Sequence, residues 1–138
     1  TADSYTTGLI NSRSGLAVSG DAVHYAWQGE ILSMADSGWD CYAARISCLL
    51  ERPEGWIAFY DGSASVGENY EERCGLAVGL NFWSLNRTSL NGPWVVAPHG
   101  TGSVRYLDLV QVGDETLCYY EMVRPDGGHE LRCVPLRI

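Results

Sequence analysis

Trp56-Ile57-Ala58-Phe59-Tyr60-Asp61-Gly62-Ser63-Ala64-Ser65-Val66-Gly67-Glu68-Asn69-Tyr70-Glu71-Glu72-Arg73-Cys74-Gly75 sets the terms for the rest of the chain. An aromatic, strand-like run meets Asp-Gly, a pair that forms turns because both residues brace or tolerate positive φ. A small-residue loop follows, and then one Asn, three Glu and one Arg in close succession. Carboxylates so close together repel unless water, an arginine or a ligand separates them. The stretch is either a site at a strand end or a solvated hairpin.

Outward from it, the chain alternates short apolar runs with turns. Val23–Trp27, Ala44–Leu50, Trp56–Tyr60, Gly75–Val78, Trp94–Val96, Val104–Val112, Thr116–Val123 and Glu130–Leu136 have the length and the β-branched or aromatic content of strands. Gly20-Asp21, Pro53-Glu54-Gly55, Asp61-Gly62, Gly113-Asp114 and Asp126-Gly127-Gly128 punctuate them. No window keeps the i, i+3, i+4 apolar spacing for the length of a helix. The fold class is all-β, with a loop expected across 92–102.

The 138 residues suffice for a domain with a real core, and 46% hydrophobic and 11% aromatic content excludes disorder. A net charge of −8, with arginine as the only strong base, argues against nucleic acid and anionic membranes as partners. No apolar run reaches the ~20 residues of a membrane span, and Thr1–Tyr5 lacks the pattern of a signal peptide. Cys41, Cys48, Cys74, Cys118 and Cys133 show no Cys-x-x-Cys pair. All but Cys41 sit in or beside strand-like runs and read as core thiols, which suits a reducing cytoplasm.

A repeat organises the strands. Arg45 precedes Asp61 by the same interval, 16 residues, that separates Arg105 from Glu121. Both intervals end in an aromatic-acid step, Tyr60-Asp61 and Tyr120-Glu121. Glu71-Glu72-Arg73-Cys74 is echoed by Glu130-Leu131-Arg132-Cys133, and Arg13 to Val18 matches Arg73 to Val78. The period of about 60 residues suits a four-stranded propeller blade with long connections. This reading gives a partial β-propeller of about two and a half antiparallel blades: residues 1–21 the end of an incomplete blade, 36–80 a second, 102–138 a third. A ring needs more blades, so the missing ones are expected from the same parent chain, from another protein chain or from oligomerisation.

The motifs Trp39-Asp40-x-x-x-x-Arg45, Tyr60-Asp61-Gly62, Glu68 through Ala77, Arg105-Tyr106, and Tyr120-Glu121 through Arg132 carry a family resemblance. Over residues 36–138 the chain resembles the C-terminal blades of bacterial five-bladed β-propeller proteins related to glycoside hydrolases of the arabinanase, β-xylosidase and invertase type. The resemblance implies a saccharide ligand and carboxylates at a cleft. Those enzymes also draw catalytic carboxylates from N-terminal blades, for which this sequence has no counterpart.

Glycoside hydrolysis uses two carboxyl groups, one protonating the leaving group and the other acting as nucleophile or activating water. Asp40, Asp61 and Glu121 are the expected cleft carboxylates. Asp61 alternatively begins a β-turn. Arg45 and Arg105 are expected either to clamp the acids across a hairpin or to bind sugar hydroxyls. Trp39 and Tyr70 are the aromatic faces expected beside charged loops; the other Trp and Tyr residues read as core. Glu68 and Asn69, with Tyr70, form an insertion without counterpart in the next unit, and His129 is a proton donor, sugar contact or hairpin residue. Glu71/Arg73 and Glu130/Arg132 read as scaffold ion pairs, and His24 as a core residue. No metal-ligand spacing, phosphate-binding loop or Gly-x-Ser-x-Gly elbow appears, so no cofactor or metal is expected. The function read from these residues is a carbohydrate-active, glycosidase-like hydrolase, incomplete as this chain alone. Its rivals are a non-catalytic carbohydrate-binding or assembly module and a simple antiparallel sandwich.

Overall fold

The computed structural model describes residues 11–136. The first ten residues of the first expected unit and the last two of the third lie outside them. Nine strands form three antiparallel sheets, and the lone helical element among the described residues is the 3₁₀ turn Val66–Glu68. Strands β1 (Ser14–Val18) and β2 (Ala26–Leu32) make the first sheet. The second runs β3 (Ala43–Arg52), β4 (Gly55–Ser63), β5 (Arg73–Asn81) and β6 (Ser84–Arg87) in that order. The third comprises β7 (Val104–Val112), β8 (Glu115–Val123) and β9 (His129–Pro135). Each is a meander of neighbouring strands. The structure establishes all-β sheets of two, four and three strands.

Alternation along β4 decides how the sheets stack, because successive side chains in a strand point to opposite faces. Ala58 and Tyr60 pack with Leu32, Ala44 and Ala77 toward the first sheet. Phe59 packs with Cys48, Cys74, Val104, Leu107, Cys118 and Val123 toward the third. Asp61 shares the face of Phe59. The second sheet is therefore buried on both faces, and the carboxyl of Asp61 enters the seam between the second and third sheets.

The Asp61-Gly62 pair is not a turn. Strand β4 continues through Ser63, with Asp61 paired to Arg45 on one side and to Cys74 on the other. Glycine is needed at position 62 for room: a Cβ there would lie 2.4 Å from the ring of Trp39. The same ring, with Tyr60, closes on Gly75, where a Cβ would lie 2.5 Å from Tyr60. A tryptophan laid across two glycines, and not a change of direction, accounts for this part of the sequence.

Other expectations shift as well. Val23 and His24 lie in a bend, and β2 begins only at Ala26; His24 is exposed and bonds Asp21 instead of packing in a core. Of Trp94–Val96, Val95 makes an isolated bridge with Cys74 within the long 88–103 connection. The short β6 had no sequence signal of its own, since Ser84-Leu85-Asn86-Arg87 has a single apolar residue. Cys48, Cys74 and Cys118 are buried thiols, but Cys133 is exposed on β9.

The two long meanders share an irregularity. In β3 the register with β4 slips between Ile46 and Cys48, just past Arg45; in β7 the register with β8 slips between Arg105 and Asp108. Each slip is a β-bulge of the kind that re-aims side chains. The echo between Glu71–Cys74 and Glu130–Cys133 does not survive in register. Arg73 faces Gly62, whereas Arg132 faces Tyr120, the match of Tyr60. The longer β4–β5 connection, which contains Glu68–Tyr70, displaces one relative to the other.

Candidate functional site

Arg45 and Asp61 are direct neighbours across β3 and β4, and Arg105 and Glu121 across β7 and β8. The spacing of 16 residues thus spans a hairpin in both cases. The ion pairs differ. Arg105 bonds Glu121 through Nε at 3.1 Å and Nη2 at 3.0 Å. Arg45 instead gives its guanidinium to Glu72, the residue immediately before β5.

Glu72, one of the carboxylates of a stretch that the sequence reading assigned to scaffold, stands at the centre of the site. It is 1% exposed, and Arg105 Nη1 stands 3.8 Å from its Oε2. Its carboxyl therefore joins Arg45 of the second sheet to Arg105 of the third. One signal was present: Glu72 lies two residues from Cys74, so a core position for Cys74 puts Glu72 on the same buried face. The false echo with Glu130 obscured it.

Asp61 is 2% exposed and accepts a hydrogen bond from the backbone N–H of Tyr106 at 3.1 Å. Burial pushes its carboxyl up to about 7; Glu72 adds to the rise, while the Tyr106 N–H, Arg45 and Arg105 oppose it. Desolvation dominates because an ionised carboxylate loses more hydration here than its partners restore. A cleft of about 360 Å³ lies against these groups, lined by Arg45, Ile46, Ser47, Asp61, Tyr106 and Asp108 among others.

Two tyrosines flank the network with left-handed backbones, Tyr70 at φ 69° and Tyr106 at φ 55°. Arg105 explains why both are held there. It donates to the carbonyl of Tyr70 and lies over the ring of Tyr106, 4.7 Å from its centroid. Bulky residues in this region are strained, and such strain persists only where the surroundings enforce it. Both rings are exposed.

The remaining candidates lie elsewhere or are committed to structure. Asp40 is on the opposite face of β4 from Asp61, where it accepts from Tyr60 Oη at 2.9 Å and Arg87 Nε at 2.6 Å. Arg87 is a second partner that the sequence did not reveal. Trp39 stacks on Tyr60 and donates its indole N–H to the carbonyl of Ser89 at 2.8 Å. Glu68 ties its own loop together, accepting from the Ala64 N–H and from Arg73. Arg73 therefore pairs with Glu68 and not with Glu71. Asn69, half-buried, closes the 3₁₀ turn through its backbone N–H. His129 sits 3.3 Å from Glu71, while Arg132 and Glu130 do form a pair within β9.

The faces differ in one further respect. Val104 and Leu107 point to the second sheet, while Glu121 stands on the other face of the third and Arg105, its cross-strand neighbour, reaches back to Glu72 and the Tyr70 carbonyl. Asp61 is covered by β7; Glu121 has nothing comparable over it among the described residues, and its side chain is 35% exposed.

A solved structure described as a glycoside hydrolase superposes on this chain with a TM-score of 0.64 at 14% sequence identity. The match covers 91% of this chain and 45% of that one, so the chain spans less than half the length of that protein. No family model and no curated protein matches. At this identity the likeness concerns the fold, which is glycoside hydrolase-like; sites are argued from their own residues.

Proposed function

We propose that the chain is a portion of a five-bladed β-propeller of the glycoside hydrolase type, acting on a saccharide at the seam between the second and third sheets. One observation carries the reading. Asp61, buried beside a cleft, holds its proton to about 7 beside the Glu72 carboxyl that Arg45 fixes, and Arg105 links this group to Glu121. A proton-holding acid beside fixed carboxylates is the arrangement glycoside hydrolysis requires. In this reading Asp61 supplies the proton, Glu121, joined to the seam through Arg105 from the far face of the third sheet, is the more accessible second carboxyl, and Arg45 and Arg105 position them. Tyr70 and Tyr106 offer flat faces for the sugar ring. Asp40, by its bonds, belongs to the scaffold of the second sheet. A cytoplasmic setting remains part of the proposal, supported by five free thiols.

The propeller itself is supported by the stacking. Each of the two long meanders carries an Arg–acid pair on the face directed away from the preceding sheet. The Asp61 pair is capped by the next sheet; the Glu121 pair would be capped by a further blade in the same way. The exposed Trp27 on the first sheet and Leu131 on the third present apolar surface for neighbours on both sides.

Hydrolysis of a panel of aryl-glycosides by the full-length protein, with Asp61→Asn and Glu121→Gln variants, tests the reading. Rates lowered at least about a hundredfold in either variant are expected for a general acid or its partner carboxylate. Unchanged rates for both would end the catalytic reading. The rival, a non-catalytic module completed by another chain, predicts a stable complex in native mass measurement; a well-behaved monomer of this polypeptide contradicts it.

A further inference from the structure

We propose that Glu72 is the positioning residue of this site: its buried carboxylate gathers Arg45 and Arg105 around Asp61 and keeps a negative charge facing the Asp61 carboxyl. The inference rests on the reading of Asp61 as the proton-holding group, and it assigns the control of that group to a residue outside both Arg–acid pairs. Three observations support it. Arg45 turns from its direct cross-strand neighbour Asp61 to reach Glu72. Arg105 reaches Glu72 from the adjoining sheet. Glu72 Oε2 is fully buried and has no hydrogen bond, Arg105 standing beyond bonding distance at 3.8 Å.

The charges around Asp61 fix the sign of the effect. Arg45 faces it from β3, Cys74 from β5, Glu72 from the connection before β5, and Arg105 with the Tyr106 N–H from β7; Asp108 lines the same cleft, and Glu121 acts through Arg105. If Glu72 were absent, both arginines would be left to turn on Asp61. Their positive charge would draw the proton off the acid. With Glu72 in place the arginines are engaged, and the like charge of Glu72 works in the same direction as burial. A side chain outside both Arg–acid pairs thus decides whether the cleft acid carries a proton near neutral pH.

The experiment follows the side-chain carboxyl carbon of Asp61 by NMR across pH in the full-length protein, alone and as Glu72→Gln, Glu72→Asp and Arg45→Gln. Glu72→Gln preserves shape and removes charge. The Asp61 midpoint is expected to fall by about one pH unit or more, so that at pH 7 the protonated share drops from about one half to about one tenth. Glu72→Asp keeps the charge and is expected to hold the midpoint closer to the parent, which a purely structural role for Glu72 does not predict. Arg45→Gln is expected to raise it, and serves if Glu72→Gln does not fold. A midpoint unmoved in a folded Glu72→Gln protein, or unmoved in Arg45→Gln, overturns the proposal. None of these readouts requires turnover. A protein with no glycosidase activity but a shifting midpoint would retain the role of Glu72 and lose only the reaction.

Discussion

Arg45 lies directly across the ladder from Asp61, yet its guanidinium is bonded to Glu72. An arginine within reach of two acids has chosen the one on the neighbouring strand's approach, and the acid it left is the one that keeps its proton. The choice follows from geometry. Asp61 is already engaged by the backbone N–H of Tyr106, while Glu72, equally buried, takes Arg45 on Oε1.

Stability should therefore carry the imprint of Asp61. The group takes up its proton at about 7 when folded and near 3.8 when unfolded. Between these values folding binds a proton, so its contribution is full below about pH 4, declines as pH rises, and is lost above about pH 7. The gap corresponds to at most about 4 kcal/mol. Asp61→Asn should flatten this decline in urea unfolding measured from pH 4 to 8.5. The same slope in both proteins would show that Asp61 does not hold its proton.

Arg105 ties together Glu121, Glu72 and the Tyr70 carbonyl. Its replacement by Met removes a charge beside the buried Glu72, leaves the Tyr70 carbonyl without its donor and frees Glu121, at an expected cost of about 1.5–3 kcal/mol. Arg132→Met breaks an exposed pair within β9 and should cost no more than about 1 kcal/mol. Denaturation midpoints of the two variants side by side check the contrast; equal losses would mean that the Arg105 network bears no load.

Gly75→Ala introduces a methyl group 2.5 Å from Tyr60 and 2.7 Å from Trp39. The stacked pair must move, at about 1–3 kcal/mol for overpacking. Near-ultraviolet circular dichroism should change along with the unfolding midpoint. An unperturbed aromatic signal would contradict the close packing.

Tyr70→Gly separates stability from binding. The left-handed backbone suits glycine, so relief of strain offsets the added freedom of the unfolded chain, and the net change should stay within about 1 kcal/mol. If the ring is a platform for sugar, saccharide affinity falls roughly fivefold to tenfold, as loss of one aromatic contact allows. Calorimetric titration decides. Unchanged affinity would remove Tyr70 from the site.

Much of this was legible in the sequence where local pattern and tertiary structure agree. Val104–Val112 read as a strand and is one, and its Val104, Leu107 and Leu109 serve a single core. The Arg45/Asp61 and Arg105/Glu121 spacings gave true cross-strand neighbours, since a tight hairpin converts separation directly into register. Asp61-Gly62 misled because glycine marks both turns and close packing, and only the Trp39 ring distinguishes them. Glu72 and Arg87 were hidden for a related reason. Their partners come from strands far apart in the chain, and no local spacing records a contact between Arg87 and Asp40.

The bulges just after Arg45 and Arg105 have a consequence for which lengths of chain the fold tolerates. Arg45 and Cys48 are an odd number of residues apart, yet both serve the face shared by Phe59 and Asp61, one in the ion network and the other in the apolar core. The slip at Ser47 alone reconciles them. Deletion of that one residue would leave a regular strand in which the two, now two positions apart, still share that face; loss of a second residue between them would turn either the guanidinium or the thiol toward the first sheet. Lineages of this fold should accordingly vary freely in the β4–β5 connection, and in β3 by no more than the one residue that the slip absorbs.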